Sequence, residues 1–252
     1  MTVLHIKRLT KVYGAKNSGI AKAALTGIDL EVQSGEFVGI MGPSGSGKTT
    51  LLNLLAGLDQ ATSGQLWIQG EDMSKVKPER MALFRRRNLG FVFQDYNLLD
   101  TLTLSENVAL PLTLDGYKGP QVQRKVKDLL EYLGLGEVMS RYPYEVSGGQ
   151  QQRTAVARAV IHEPKLILAD EPTGNMDSGS ATDLLELFQR LNREKGATLL
   201  LVTHDPFAAS YCGRIVFIKD GTVFSKMERS GLRPTFFQEI LDTLSVLEGV
   251  RS

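Results

Sequence analysis

Eight consecutive residues, Gly42-Pro43-Ser44-Gly45-Ser46-Gly47-Lys48-Thr49, follow the spacing G-x-x-x-x-G-K-T. That spacing is a cradle for phosphate. The glycines let backbone N–H groups turn toward a polyphosphate, and the N-terminus of a following helix adds positive partial charge. The lysine can reach the β- and γ-phosphates, and the threonine hydroxyl can ligate Mg²⁺. The flanks suit this chemistry. Glu36 to Met41 reads as a buried strand, and Thr50 to Ala56 as the helix after it. Gly42 through Thr50 is therefore the candidate nucleotide-binding run, and the chain is expected to bind a nucleoside triphosphate.

Two further clusters extend the chemistry. Lys165 to Ala169 is an apolar strand that ends in Asp170-Glu171. An Asp at the C-terminal end of a strand in such a fold is placed to hold Mg²⁺, directly or through water. Glu171 faces the same crevice and is the candidate to polarise an attacking water. Alone, the pair fits an ordinary strand exit with solvated carboxylates equally well; the phosphate cradle turns the reading to function. The third cluster is Val146-Ser147-Gly148-Gly149-Gln150, ahead of a helical run through Val160. Ser147 and the two glycines make a second anion-receptive helix N-terminus. One nucleotide has one γ-phosphate, so two cradles in one domain imply head-to-tail use between two copies.

Ser147-Gly148-Gly149-Gln150 resembles the signature motif of the ATP-binding cassette (ABC) ATPases, with Val146 in place of the usual Leu. The resemblance runs over nearly the whole chain. It implies that Tyr13 stacks on adenine and that Gln94 is the Q-loop glutamine, which senses the metal and faces a membrane partner. Gly174-Asn-Met-Asp177 stands at the D-loop position, with Met176 for the commoner Leu, and His204 at the switch histidine. The implied catalytic residues are Glu171, His204 and Lys48. Nucleotide contacts are Tyr13, residues 42–50, Gln94 and Ser147 to Gln150, and metal ligands are Thr49, Gln94 and Asp170. The implied cofactors are ATP and Mg²⁺. Implied partners are a second copy of the chain in an ATP-sandwich dimer and an integral membrane permease on a separate chain.

Elements must bring these residues together. The expected fold is α/β: a P-loop NTPase core with a mixed sheet, an N-terminal antiparallel β-subdomain and an α-helical signature subdomain. Residues 1–222 form the expected ATPase domain, with a RecA-like core and the helical part at about 95–160, and residues 223–252 a short helical extension. Residues 2–36 alternate strand-like stretches around a loop near Ala15 to Ala23. Helical segments are expected at Ser105 to Leu110, Gln121 to Leu133 and Gln150 to Val160, broken at Pro111, Gly116 and Pro143. Strands are expected at Gly90 to Phe93, 166–169, 199–202 and 214–219. In the tail, Phe236, Phe237, Ile240, Leu241 and Leu244 recur at helical spacing, which favours packing onto the parent domain over a partner site.

Composition narrows the function. The 252 residues carry 29 Lys plus Arg against 28 Asp plus Glu. A net charge of +1 gives no global basic bias toward nucleic acid. The basic run from Glu79 to Arg87 reads first as a solvated helix face. A single cysteine, Cys212, forms no internal disulfide, as in a reducing compartment. No N-terminal signal pattern is present, and no apolar run approaches the ~20 residues a bilayer needs. The expected location is the cytoplasmic face of the membrane, held there by the permease. Leu89 to Thr103 and Thr203 to Arg214 resemble ATPases of the bacitracin-export type, within the macrolide-export and lipoprotein-release group. That resemblance implies resistance to antimicrobial peptides, with a sensor histidine kinase as a possible further partner. The alternative is an ATP-driven mechanotransmitter of a cell-division or lipoprotein-release complex; a soluble ATPase acting on nucleic acid lacks its usual insert here.

Overall fold

The apolar runs become the centre of the molecule. The computed structural model describes residues 1–14 and 21–249. Of the loop expected at Ala15 to Ala23, residues 15–20 lie outside the described residues. In chain order the elements are β1 (Thr2–Tyr13), β2 (Lys22–Gln33), β3 (Phe37–Met41), α1 (Lys48–Leu55), β4 (Ser63–Ile68) and β5 (Glu71–Asp72). Next come α2 (Pro78–Asn88), β6 (Leu89–Phe93), α3 (Leu104–Leu114), α4 (Pro120–Tyr132), α5 (Gly148–Val160) and β7 (Leu166–Asp170). The chain closes with α6 (Ser178–Lys195), β8 (Leu199–Val202), α7 (Pro206–Ala209), β9 (Arg214–Lys219), β10 (Thr222–Glu228) and α8 (Arg233–Glu248).

Two sheets form. The first is antiparallel, in the order β2-β1-β4-β5, and is the expected β-subdomain. The second has the order β10-β9-β3-β8-β7-β6, and all neighbours from β9 to β6 are parallel. β10 is antiparallel on the β9 edge, so the sheet is mixed as expected. Parallel strands with both faces covered read as continuous apolar runs, which is why they were legible. Alternate residues serve different layers. Val38, Ile40, Leu168, Leu200 and Val202 pack with α1 and the antiparallel sheet. Phe37, Met41, Ile167, Leu199 and Leu201 pack with α5, α6 and α8.

The helical part corrects one expectation. α3 does not break at Pro111 but continues to Leu114. Pro111 lies in the last turn, where it removes only one backbone bond, and the Thr113 hydroxyl donates back to the Ala109 carbonyl at 3.1 Å. The opposite end of α3 is closed by a capping box between Thr103 and Glu106. The basic run on α2 is more than a solvated face. Arg85 donates to the Gly57 carbonyl, Arg86 to the Leu114 carbonyl, and Arg87 to the Asp115 carboxylate, clasping α3 to the core.

The tail helix folds onto its own domain. Phe236, Ile240 and Leu247 are buried in the α5/α6 layer. Arg233 stacks on Tyr211, its guanidinium carbon 4.4 Å from the ring centroid. Among the described residues no helix is long and apolar enough to cross a membrane.

Gly90 in β6 lies directly under α5: a Cβ there would run into the Ala159 carbonyl oxygen. Gly90→Ala must push α5 off the sheet. The expected loss is about 1–3 kcal/mol, read as a lower urea midpoint with an unchanged m-value.

Candidate functional site

Register places the chemistry. Across the parallel sheet Ile40 lies opposite Val202, Val202 opposite Asp170, and Asp170 opposite Phe93. The strands therefore end on one line. Just beyond that line come Gly42 after β3, Thr203 and His204 after β8, Glu171 after β7, and Gln94 after β6. This carboxyl edge is where open α/β sheets hold ligands.

The phosphate loop is shaped by close approaches. A Cβ on Gly42 would strike the Ile218 carbonyl oxygen, and one on Gly47 would come within 2.5 Å of the Ala24 carbonyl oxygen. Gly47 also has φ 105°, the left-handed region that favours glycine. It is the N-cap of α1 and offers no side-chain cap, so the first helical N–H groups remain free for an anion. Lys48 is buried and donates to the Gly42 and Pro43 carbonyls at 2.7 and 3.0 Å. Burial pulls its ammonium below the usual lysine value, while Glu171 and Asp170 oppose that shift. Thr49 is exposed beside it.

The carboxylates sit in the same crevice. Burial raises the Asp170 carboxyl above the ordinary range, the neighbouring Glu171 adds to this, and Lys48 offsets part of it. Glu171 leaves β7 with a left-handed backbone, φ 45°. For a non-glycine residue this costs roughly 1–2 kcal/mol. The turn aims its side chain across β8. Oε1 accepts from the His204 amide at 3.0 Å and lies 2.8 Å from the His204 Nδ1, and Oε2 accepts from the Thr203 hydroxyl at 3.1 Å. Thr49, Asp170 and Gln94 offer a hydroxyl, a carboxylate and an amide oxygen. Such hard donors fit Mg²⁺, which keeps several waters and takes few protein ligands beside substrate phosphates.

Gln94 is tied to the segment Gly174 to Asp177. Gln94 Nε2 donates to Asn175 Oδ1 at 3.0 Å, and Asn175 donates to Asp95 Oδ1 at 2.9 Å. Two residues of α5 that sequence reasoning passed over hold this region. Gln152 is fully buried and donates to the carbonyls of Phe93 and Pro172, the residues just before Gln94 and just after Glu171. Arg158 donates to the Tyr96 and Asn97 carbonyls at 2.9 and 2.6 Å. Both of those residues are left-handed, with φ 57° and 51°. The signal for Gln152 was visible in the run Gln150-Gln151-Gln152, but nothing in it marks which amide turns inward.

Ser147 and Gln150 form a reciprocal capping box at the start of α5, with bonds of 3.0 and 3.3 Å. Nearby atoms come from Tyr96 and Ser180, not from the phosphate loop. The two cradles therefore do not meet within one chain. Tyr13, at the end of β1, is exposed; its hydroxyl bonds Asp59 at 2.8 Å and Lys11 lies 4.7 Å from its ring centroid. Its hydrogen bond thus goes to Asp59 and not to the phosphate loop.

A phosphate loop, a buried lysine and an Asp-Glu pair on the carboxyl edge of a parallel sheet define a P-loop nucleotide hydrolase. The family model for ABC transporters matches residues 25–174. The uncharacterized ABC transporter ATP-binding protein YvcR of Bacillus subtilis is 56% identical over 249 residues, covering 99% of this chain and 96% of its own. The bacitracin export ATP-binding protein BceA of Halalkalibacterium halodurans is 48% identical, covering 100% of this chain and 99% of its own. Among solved structures, a dimeric post-hydrolysis state of the ATP-binding cassette MJ0796, bound to ADP and Pi, superposes with a TM-score of 0.80. It is 38% identical and covers 91% of this chain and 100% of its own. The chain belongs to the ABC transporter family and is an ATP-binding, ATP-hydrolysing subunit of it.

Gln152→Met keeps the volume of the side chain and removes both of its hydrogen bonds. Stability is expected to fall by about 1–3 kcal/mol. Because the freed carbonyls flank Gln94 and Glu171, maximal ATP turnover should fall more than nucleotide affinity, as steady-state kinetics beside equilibrium nucleotide titration would record.

Proposed function

We propose that two copies of this chain close head to tail around ATP and drive an integral permease at the cytoplasmic face of a membrane. In this reading each nucleotide lies between the phosphate loop of one copy and Ser147 to Gln150 of the other. The observation that carries it is the Glu171 carboxylate, turned by a left-handed backbone to the edge where Lys48, Asp170 and His204 gather. Glu171 receives the attacking water, and Lys48 and His204 stabilise charge on the transferring phosphoryl group. Tyr13 stacks on the base. Thr49, Asp170 and Gln94 would hold Mg²⁺, which would supply positive charge to offset that of the phosphates. In the signature half of the site the Ser147 hydroxyl accepts from the Gln150 amide at 3.3 Å, which leaves its proton to donate to phosphate.

The permease is read as docking on the helical side, beside Gln94. A separate cleft of about 630 Å³ lies between the end of α2, the end of α3 and the start of α4, toward the amino end of β6. In it Arg87 pairs with Asp115 and Lys125 with Glu163, leaving Arg86 and Lys118 as the cations in excess, which fits a segment with acidic side chains. The physiological role proposed is resistance to peptide antibiotics of the bacitracin kind. It is supported by the 48% identity to BceA over the full chain and by the segments Leu89 to Thr103 and Thr203 to Arg214. A sensor histidine kinase is a proposed further partner.

Two outcomes are expected. Lys48→Ala should weaken nucleotide binding by about 10- to 100-fold through loss of a charge-assisted contact. Ser147→Arg should leave binding to the single chain near its original value and abolish the ATP-dependent dimer seen by sizing; equal loss of binding in both variants would contradict the two-cradle reading. In cells, a pull-down from detergent-solubilised membranes should recover a permease, and deletion should raise sensitivity to bacitracin. Unchanged sensitivity with a division defect would favour the mechanotransmitter instead.

A further inference from the structure

The Thr203 hydroxyl sits between the Glu171 carboxylate and the backbone of the turn that follows it. It lies 3.1 Å from Glu171 Oε2 and 3.0 Å from the Asp205 amide. A hydroxyl has one proton, and a backbone N–H can only donate. The Asp205 amide therefore fills a Thr203 lone pair, and the Thr203 proton is directed at the Glu171 carboxylate. The side chain cannot drift from this arrangement. Thr203 is fully buried, its own amide donates to the Ile40 carbonyl at 3.1 Å, and a β-branched residue is stiff at χ1.

His204 is the contrast. Its side chain is 74% exposed and its ring holds Glu171 only through Nδ1 at 2.8 Å. A ring that turns out to a phosphate takes that contact with it. Of the side chains holding Glu171 among the described residues, Thr203 is then the one that stays. The acceptor sites on Oε1 are taken by the His204 amide and ring, whereas Oε2 carries the Thr203 bond alone and keeps one site open.

We propose that Thr203 is a positioning residue for ATP hydrolysis: its buried hydroxyl holds Glu171 aimed at the attacking water while His204 is engaged with phosphate. This rests on reading Glu171 as the residue that receives that water, and the two are separable by experiment. Thr203→Val preserves shape and removes the hydroxyl. In the purified chain it should lower saturated ATP turnover by about 10- to 100-fold, the range expected for a hydrogen bond to a charged group. The dissociation constant for a fluorescent ATP analogue should stay within about twofold, because the hydroxyl touches no nucleotide-binding group. Thr203→Ser, which restores the hydroxyl, should recover most of the turnover. In a Glu171→Gln background, Thr203→Val should cost little more, since the carboxylate it serves is already gone.

Wild-type turnover in Thr203→Val would overturn the proposal. So would an equal further loss in the Glu171→Gln background, or a Ser variant as slow as the Val variant at the same melting temperature. If Thr203→Val does not fold, Thr203→Ala against Thr203→Ser gives the same comparison. Full turnover in Glu171→Gln alone would remove the underlying reading and the proposal with it, whereas collapse there beside a normal Thr203→Val would remove the proposal only.

Discussion

The register of the parallel strands is the constraint on which the rest of this molecule depends. Ile40, Val202, Asp170 and Phe93 share one line across the sheet, and the reactive groups follow it within one or two residues. The line is held by more than hydrogen bonds. Each strand is buried on both faces, and successive residues feed two different cores. A slip of one residue would exchange those two sets of side chains, so packing forbids it. The position of Glu171 relative to Lys48 is thus fixed by Leu and Val side chains that have no chemical role.

A second constraint ties the helical part to that line. α5 starts at the Ser147 to Gln150 capping box and reaches the sheet region through Gln152 and Arg158. These bonds end on carbonyls beside Gln94 and Glu171, so movement of α5 is felt at both. The contact is close, since Gly90 leaves no room for a Cβ against the α5 backbone. The N-termini of α1 and α5 differ. α1 begins without a side-chain cap, whereas α5 begins in a capping box that engages the Ser147 and Gln150 amides.

Electrostatics at the site are arranged by burial. Lys48 faces Asp170 and Glu171, and burial shifts both Lys48 and Asp170 in the direction of their neutral forms. Away from the site, the arginines of α2 spend their charge on carbonyls and on Asp115, holding α3 in place.

By itself the sequence determined the local chemistry. The phosphate loop, the Asp-Glu strand end and the buried strands declare themselves by spacing and by uninterrupted apolar runs, because both depend on neighbours along the chain. Helix ends were less legible: Pro111 reads as a break, yet in a last turn it costs a single backbone bond. What tertiary structure alone decided are contacts between residues distant in sequence. Gln152 reaches back 59 positions to Phe93, and Thr203 reaches 32 to Glu171. A glutamine in a polar run and a threonine at a strand end look solvent-facing from their neighbours. Whether either turns inward depends on which carbonyl or carboxylate the fold brings opposite, and only packing of the strands and α5 sets that.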